Sequence, residues 1–334
     1  MSSKIKTLAP EIWQAIQQAQ NILLHLHPRP DEDSIGSVLA MGHALASLGK
    51  KFTIIKGDSP LPEEYSHLPG YNWIVDKNFF EIALADFDLF LILDTGGVEQ
   101  ISRQGEIIFP DHLNTVLIDH HDNTVNFART NLILSDYPAV GQLLFDLFKE
   151  WGVALTPEIA INLLIGIQAD TGGFKYPRTT SETLAVAAEL VKMSPNFPAV
   201  IAKCENVLTP GEISYLGLGL SKAESLFNNQ AAISAISYEE LQRAGIREND
   251  VHQNQIANWF RQVKDWKIGI ALVESQPGQT CISLRSQDGE KYDVSKVALA
   301  FGGGGHRAAA GATIKKPLAE AKAEVLRAAE ELFK

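Results

Sequence analysis

The chain has 334 residues, of which 45% are hydrophobic and 21% charged, a composition typical of folded proteins and not of disordered ones. This length leaves room for about two domains, each large enough to bury its own core. Asp and Glu number 40 against 29 Lys and Arg, and the resulting net charge of −11 opposes the extended phosphate contacts that hold long duplex nucleic acid. A nucleic-acid partner is therefore expected to be short, or bound by a local basic pocket.

The sequence also indicates the cellular compartment in which the protein is expected. The two cysteines, Cys204 and Cys281, are too few and too far apart for a disulfide framework or a thiolate zinc site. Residues 1–20 lack the unbroken apolar stretch of a secretory signal. The longest apolar runs are strand-sized, far short of the ~20 residues of a membrane helix. We therefore predict a cytoplasmic protein without a membrane partner.

In the first half of the chain, short apolar runs alternate with longer segments whose apolar residues recur every three or four positions. This alternation is typical of strands that are connected by helices and form a mostly parallel sheet, so residues 1–200 are predicted to form an α/β domain. The predicted strands are Ile22–His27, Phe52–Lys56, Leu89–Leu93 and Thr115–Ile118. The predicted helices are Ser34–Leu48, Ala139–Trp151, Pro157–Ala169 and Ser181–Met193.

A second domain is predicted over residues 223–334, after a proline-containing hinge or linker at 201–222. The pattern restarts with a helix at Glu212–Phe227 and closes with a charged helix at Leu318–Phe333. Between them, alternating runs predict a mixed or antiparallel sheet. Its predicted strands are Gln230–Ser237, Ile268–Glu274 and Thr280–Leu284.

Acidic and histidine side chains follow the predicted strands of the first domain, and the loops at this edge of an open α/β sheet form its ligand crevice. After the first strand come His27, Asp31 and Asp33. The spacing of the two carboxylates just before a helix allows both to face neighbouring cations. The alternative is that Asp33 or Ser34 only caps the helix. The nearby imidazole, which a cap does not need, favours the ligand interpretation.

Two further strand ends carry similar groups. Asp94 ends the strand Leu89–Leu93, either as a turn residue or as a ligand. The fourth strand ends in Asp119, His120 and His121. Adjacent histidines there favour a metal site over a solvated loop, because imidazole is a frequent ligand of Zn²⁺, Mn²⁺ and Fe.

The helix Pro157–Ala169 runs into Asp170, two glycines and the cations Lys175 and Arg178. This order suits a helix end that meets a phosphate, and a glycine helix stop with an exposed basic turn is the alternative. Four separate segments thus present oxygen and nitrogen ligands to one edge of the sheet, which predicts a two-metal site. Oxygen-dominated ligation with a few imidazoles and no thiolate favours Mn²⁺ over Mg²⁺ or Co²⁺.

With these motifs the sequence resembles the DHH phosphoesterase family, whose namesake triplet is Asp119-His120-His121. Four motifs occur in the family's order: His27-x-x-Pro30-Asp31-x-Asp33-x-x-Gly36-Ser37, Asp94-Thr95, the triplet, and Gly166-x-x-x-Asp170-Thr171-Gly172. In the last third, the blocks that resemble the DHH-associated substrate domain are Ser283-Leu284-Arg285-Ser286, Asp293-Val294-Ser295 and the glycine-rich run 302–311. In length and domain pairing, the chain is more similar to the stand-alone nanoRNase/pAp-phosphatase branch than to the larger RecJ-type exonucleases.

The resemblance implies a fold and a set of metal ligands. A mostly parallel DHH domain would be joined to a smaller α/β domain with a mixed sheet, with the active site in the cleft between them. Asp94 would bridge two divalent cations. One cation would also be held by His27 and Asp31, and the other by Asp33, His120 and Asp170. In the catalytic triplet, Asp119 would orient the imidazoles and His121 would face the substrate phosphate.

Groups outside the metal shell would bind the substrate. The candidate side chains are Arg285, His306, Lys175 and Arg178. Gly303, Gly304 and Gly305 would let backbone amides approach a phosphate or base closely, and a flexible linker is the alternative. Lys175 stands where the family often has arginine, so it keeps the charge but not the bidentate geometry.

We therefore expect a Mn²⁺-dependent phosphoesterase that cleaves short oligoribonucleotides to mononucleotides and 3′-phosphoadenosine-5′-phosphate (pAp) to AMP, by attack of a hydroxide held between two metals. Hydrolysis of cyclic di-AMP or of its linear product pApA is an alternative that the sequence does not separate from the first. A nucleotide-binding sensor without catalysis is an alternative from another class. The expected partners are short single-stranded RNA or a small nucleotide, and a homodimer stays open.

Overall fold

The computed structural model describes residues 3–205 and 208–334. The chain divides into two compact units, Met1–Val207 and Leu208–Lys334. Each unit is built around a six-stranded sheet, and the α/β fold class predicted from the sequence is confirmed.

The first unit has an entirely parallel sheet with the strand order β3-β2-β1-β4-β5-β6. Its strands are β1 (Asn21–His25), β2 (Lys51–Ile55), β3 (Ile74–Val75), β4 (Leu89–Leu93), β5 (Asn114–Asp119) and β6 (Thr130–Ile133). Its helices are α1 (Ser3–Gln18), α2 (Glu32–Ser47), α3 (Val140–Glu150), α4 (Pro157–Asp170), α5 (Ser181–Met193) and α6 (Phe197–Glu205).

This strand order explains where the candidate ligands meet. The chain proceeds from β1 outward to β2 and β3, then returns to place β4 on the other side of β1. In open α/β sheets such a switch point leaves a crevice at the carboxyl ends of the two strands. His27 follows β1 and Asp94 follows β4, so these two side chains flank the switch point.

The second unit has a mixed sheet with the order β11-β12-β10-β9-β8-β7, in which only β8 and β9 pair in parallel. Its strands are β7 (Glu224–Leu226), β8 (Ala231–Ile236), β9 (Ile268–Gln276), β10 (Gln279–Ser286), β11 (Gly304–His306) and β12 (Ala309–Ile314). Its helices are α7 (Pro210–Ser221), α8 (Tyr238–Arg243), α9 (Gln253–Phe260), α10 (Ser295–Ala300) and α11 (Leu318–Glu330).

Some boundaries differ from the sequence-based expectation. The helix predicted at Glu212–Phe227 ends at Ser221, because the chain turns into strand β7 and then passes through three left-handed residues, Phe227 to Asn229. The segment 201–222, predicted as a hinge, contains the end of α6 and all of α7.

Among the described residues, no single helix combines the length and apolar composition needed to cross a membrane. One sharply bent pair, α5 with α6, meets both criteria when its two helices are taken together.

Candidate metal centre

Asp33 is fully buried at the start of helix α2, and the beginning of helix α3 fixes its orientation. Its carboxylate accepts backbone hydrogen bonds from Val140 at 2.6 Å and from Gly141 at 2.9 Å. The Ser37 hydroxyl donates a third hydrogen bond at 3.2 Å. The carboxylate fits only because helix α4 has no side chain opposite it: a Cβ on Gly166 would lie 2.4 Å from Asp33 Oδ1.

Asp94 is the acidic residue at the centre of the cluster. It follows β4 in a left-handed conformation with φ of 53°, which aspartate tolerates better than most residues. Its Oδ2 lies 3.9 Å from Nε2 of His27, and its Oδ1 lies 3.6 Å from Nε2 of His120. One buried carboxylate therefore faces two imidazoles that follow different strands.

The ring of His120 is oriented by a backbone carbonyl. Nδ1 of this ring is 3.2 Å from the carbonyl oxygen of Tyr137. A proton on Nδ1 donated to that oxygen leaves Nε2 with a free lone pair, as in metal-binding histidines. Nε2 lies 3.1 Å from Oδ2 of Asp170 and 4.0 Å from Oδ2 of Asp33. Nε2 of His120 therefore faces these two carboxylates.

His27 and Asp31 form the other side of the cluster, with Nε2 of His27 3.6 Å from Oδ1 of Asp31. Asp31 is also the N-cap of helix α2, because its Oδ1 accepts a hydrogen bond from Ser34 N at 3.0 Å. The alternative that Asp33 or Ser34 only caps this helix is therefore wrong. Asp33 lies inside the first turn, with its side chain directed to α3.

Asp119 holds the ring of His121, whereas the His120 ring is held by Tyr137. The buried Asp119 carboxylate accepts hydrogen bonds from His121 N at 3.1 Å, from His121 Nδ1 at 2.9 Å and from the Thr124 hydroxyl. Burial alone would raise the pKa of Asp119, but these hydrogen bonds outweigh it and lower the pKa. Asp119 thus stays ionised beside a partly exposed imidazole, whose Nδ1 is also 3.8 Å from Asp94 Oδ1.

All six predicted metal ligands belong to groups whose donor atoms lie within 4.8 Å of one another. Asp94 belongs to two of these groups. The three groups are His27, Asp31 and Asp94; Asp33, His120 and Asp170; and Asp94, His120 and His121.

The charges in this cluster need neutralisation. Burial, together with the charge of Asp170, raises the pKa of Asp33 to about 7, and burial with its acidic neighbours raises the pKa of Asp94 well above its usual value. Burial alone would lower the pKa of His120, but Asp170 and Asp33 outweigh it and raise the pKa to about 9. The cluster therefore retains protons at a pH where isolated groups would release them.

The cluster fits divalent cations. Asp94 Oδ1 is buried and has no hydrogen-bond partner among the described residues, which is costly unless another group binds it. The buried His120 Nε2 faces the carboxylates of Asp170, Asp94 and Asp33. Four carboxylates and two imidazoles provide the hard oxygen and nitrogen donors that suit cations such as Mn²⁺. Thiolates are absent from the described groups.

The two predicted cations after helix α4 have different surroundings. Arg178 forms an ion pair with Asp122, the residue after His121. Lys175 instead lines a separate cavity together with Glu32. In the parts of the chain that the structure describes, its ammonium group forms no hydrogen bond or ion pair.

In the second unit, Arg285 and His306 share one row of the sheet. Arg285 pairs with Ala309, which pairs with His306 on its other side. Directly opposite residues in antiparallel strands have side chains on the same face, and two strand spacings separate the outer pair by about 10 Å. Arg285 Nε donates to Asn258 Oδ1 at 2.8 Å, so helix α9 orients the guanidinium group.

The second half of the glycine run forms strand β11 and is not the flexible linker considered as the alternative. A Cβ on Gly303 would lie 2.2 Å from the carbonyl oxygen of Gly311, and one on Gly305 would lie 2.5 Å from that of Ala309. These two glycines are therefore required by close packing against β12. Gly304 is exposed and has no such neighbour within 4 Å, so among Gly303, Gly304 and Gly305 its backbone is the most open to a ligand.

Sequence reasoning missed two supporting residues. It assigned no role to His25, which is buried, with Nε2 3.3 Å from the hydroxyl of Thr95, the residue after Asp94. Burial lowers the pKa of His25 to about 3, so the ring is neutral. The sequence feature that could have identified His25 is a histidine within an otherwise apolar strand. No sequence feature could have identified Tyr137, because it binds the His120 ring through its backbone carbonyl.

Two parts of the chain match known protein families. Residues 21–167 match the family described as "DHH family, N-terminal domain". Residues 228–334 match the family described as "DHHA1 domain".

Similar curated proteins span most of the chain. "Bifunctional oligoribonuclease and PAP phosphatase NrnA" of Thermus thermophilus is 29% identical over 97% of this chain and 93% of its own length. The protein of the same name from Bacillus subtilis is 26% identical over 91% of this chain and 92% of its own. An exopolyphosphatase-related protein from Bacteroides fragilis has the same fold, with a TM-score of 0.88, 23% identity and 98% of both chains covered.

Proposed function

Because the chain belongs to the DHH family, with its N-terminal domain followed by a DHHA1 domain, we propose that it is a metal-dependent phosphoesterase. Its substrates are short oligoribonucleotides, which it cleaves to mononucleotides, and pAp, which it converts to AMP. The observation that carries the proposal is the Asp94 cluster, in which carboxylates and imidazoles from separate segments converge and a buried carboxylate oxygen has no hydrogen-bond partner among the described residues. The names of the relatives support the substrate class.

The proposed ligands are divided between two divalent cations, most favourably Mn²⁺. His27, Asp31 and Asp94 would hold one, and Asp33, Asp94, His120 and Asp170 the other. When bound, such a pair supplies activation of water and stabilisation of negative charge on a phosphate in an in-line displacement. The chain's own contribution is a rigid arrangement, because Asp33 is fixed by two backbone amides and the His120 ring by a carbonyl.

His121 is the proposed contact to the substrate phosphate. Its Nδ1 is bound to the ionised Asp119, so Nε2 is the ring nitrogen left to interact with a phosphate oxygen.

In the second unit, we propose that Arg285, His306 and the open backbone at Gly304 bind one end of the nucleotide. Arg285 is held by Asn258, and a pre-oriented guanidinium binds phosphate with little loss of side-chain freedom. A few local contacts of this kind suffice for a short substrate in an acidic protein.

We also propose a cytoplasmic location, since Cys204 and Cys281 are free thiols, as expected in a reducing compartment.

The test is a substrate panel measured on EDTA-treated protein, with and without added Mn²⁺. It contains pAp, pApA, longer RNA, cyclic di-AMP and pyrophosphate. We expect Mn²⁺-dependent turnover of pAp and pApA, with slower cleavage of longer RNA. Preferred turnover of cyclic di-AMP would replace the proposed substrate, and tight pApA binding without product would indicate a sensor.

A further inference from the structure

A cavity of about 310 Å³ lies in the first unit beside helix α4. Ligand pockets begin at about 300 Å³, so this one suits a single small group and not a whole dinucleotide. Its wall is polar as well as apolar and includes Glu32, Gln168, Gly172, Lys175, Tyr176 and Cys204.

The cavity adjoins the metal centre. Glu32 lies between Asp31 and Asp33 in the first turn of helix α2, and Gly172 lies two residues after Asp170. Ala169, which also lines the cavity, directly precedes Asp170 in the chain. A nucleotide with its phosphate at the metal centre could therefore extend its base into the cavity.

Tyr176 provides an aromatic wall that is fixed on one side and open on the other. A Cβ on Gly172 would lie 2.5 Å from the tyrosine ring, so the ring packs directly on this glycine backbone. The Tyr176 amide donates to the Thr171 carbonyl at 2.9 Å, and the side chain is still 51% exposed. Half-exposed aromatic rings of this kind are stacking surfaces for nucleobases.

The polar groups of the cavity complement the edge of a guanine. The Glu32 carboxylate, which lines the cavity, can accept hydrogen bonds from base N–H groups. The free ammonium group of Lys175 can donate to a base carbonyl. Guanine offers two adjacent N–H donors next to a carbonyl, whereas uracil offers one N–H between two carbonyls, so a carboxylate is expected to discriminate between them.

We propose that this cavity is a nucleobase subsite, in which the base stacks on Tyr176 and its N–H edge is bound by Glu32, with guanine preferred over uracil. The proposal rests on the phosphoesterase function, because the phosphate of the same nucleotide occupies the metal centre. It also gives Lys175 a role at the base, in place of the phosphate contact expected from the sequence.

The experiment compares kcat and KM for pGpG and pUpU in the Mn²⁺-loaded full-length protein. The variants are Tyr176→Leu, Tyr176→Phe and Glu32→Gln, with Glu64→Gln as a control, since Glu64 is exposed and does not line the cavity. Metal content and thermal unfolding are measured for each variant to establish that it is folded and loaded.

We expect Tyr176→Leu to raise KM for both dinucleotides by about tenfold, as loss of base stacking does, and Tyr176→Phe to recover most of this loss. Glu32→Gln should raise KM for pGpG about tenfold through loss of a charged hydrogen bond, and change that for pUpU much less. An equal effect of Glu32→Gln on both dinucleotides would overturn the proposal, because it would indicate a general influence on the metal centre. An unchanged KM in Tyr176→Leu would overturn it as well.

Binding of GMP and of UMP, measured by calorimetry, tests the proposed subsite independently of the proposed phosphoesterase activity. If the wild-type protein cleaves no dinucleotide but binds GMP more tightly than UMP, and Glu32→Gln removes this difference, the phosphoesterase proposal fails and the subsite stands. Equal binding of GMP and UMP by the wild-type protein would refute the subsite even in an active enzyme.

Discussion

Helix α4 approaches Asp33 so closely at Gly166 that a Cβ atom at this glycine would lie 2.4 Å from the Asp33 carboxylate. The carboxylate cannot move aside without losing its hydrogen bonds to the backbone of helix α3. The position of one proposed metal ligand therefore depends on the absence of a side chain on another helix.

Gly166→Ala should abolish metal binding to the Asp33 site and destabilise the protein by about 1–3 kcal/mol, as overpacking does. Helix propensity alone would predict that Gly166→Ala stabilises the protein, since alanine in a helix is favoured over glycine by roughly 0.5–1 kcal/mol. Gly217→Ala in helix α7 is the matched control, because no atom lies within 4 Å of its added Cβ, and it should be neutral or stabilising. Mn²⁺ titration and thermal unfolding check both variants. Wild-type metal affinity in Gly166→Ala would contradict this account of the packing.

Asp94→Ala should remove bound metal and activity together, because this carboxylate belongs to two of the three donor groups. Metal content by elemental analysis and turnover of pApA are the measurements. Asp111→Ala, at an exposed aspartate of the same unit, should change neither. Full turnover in Asp94→Ala would rule out the bridging role.

Arg285→Ala should raise KM for pApA by about tenfold or more, through loss of a charged hydrogen bond to phosphate, and leave metal content unchanged. Asn258→Ala should raise KM by a smaller factor, because the guanidinium group remains and loses only one of its hydrogen-bond partners. Arg243→Ala, at an exposed arginine of the same unit, serves as the control. Loss of metal in Arg285→Ala would show that the assignment of separate roles is wrong.

The metal-free protein should become less stable as the pH rises from 7 to 9. The pKa of His120 is raised from 6.5 to about 9 in the folded state, so the folded protein binds more protons than the unfolded chain in this range, and stability falls as they are released. Bound cations should replace these protons, so the thermal midpoint of the Mn²⁺-loaded protein should depend less on pH. Thermal unfolding with EDTA or Mn²⁺ tests this, and metal-free His120→Gln should have a flatter profile than the metal-free wild type. A metal-free midpoint that rises over this range would contradict the prediction.

The central strands and helices of the first unit could be predicted because burial on both sides gives continuous apolar runs, as in Leu89–Leu93. The edge strands give no such signal, because β3 has only two residues and β6 alternates buried with partly exposed residues. Helix α1 was not predicted, although Ile5, Ala9, Ile12 and Ile16 are buried at helical spacing; it contains Pro10, and proline usually interrupts a helix.

The candidate ligands could be predicted because they follow strand ends, where the topology brings them together. Their supporting contacts could not be predicted. Val140 and Gly141 bind Asp33 through backbone N–H groups, and Tyr137 binds His120 through a backbone carbonyl, which any residue type carries. The cavity beside Tyr176 depends on the packing of helix α6, which was not predicted.

The proposed ligands are spread along the chain from His27 to Asp170, and the last one lies at the end of helix α4. During synthesis, the ribosome must therefore complete most of the first unit before the full ligand set exists. Completion of the site that includes Asp170 would be a late event in biogenesis, and a nascent fragment that ends before helix α4 would lack one of its proposed ligands.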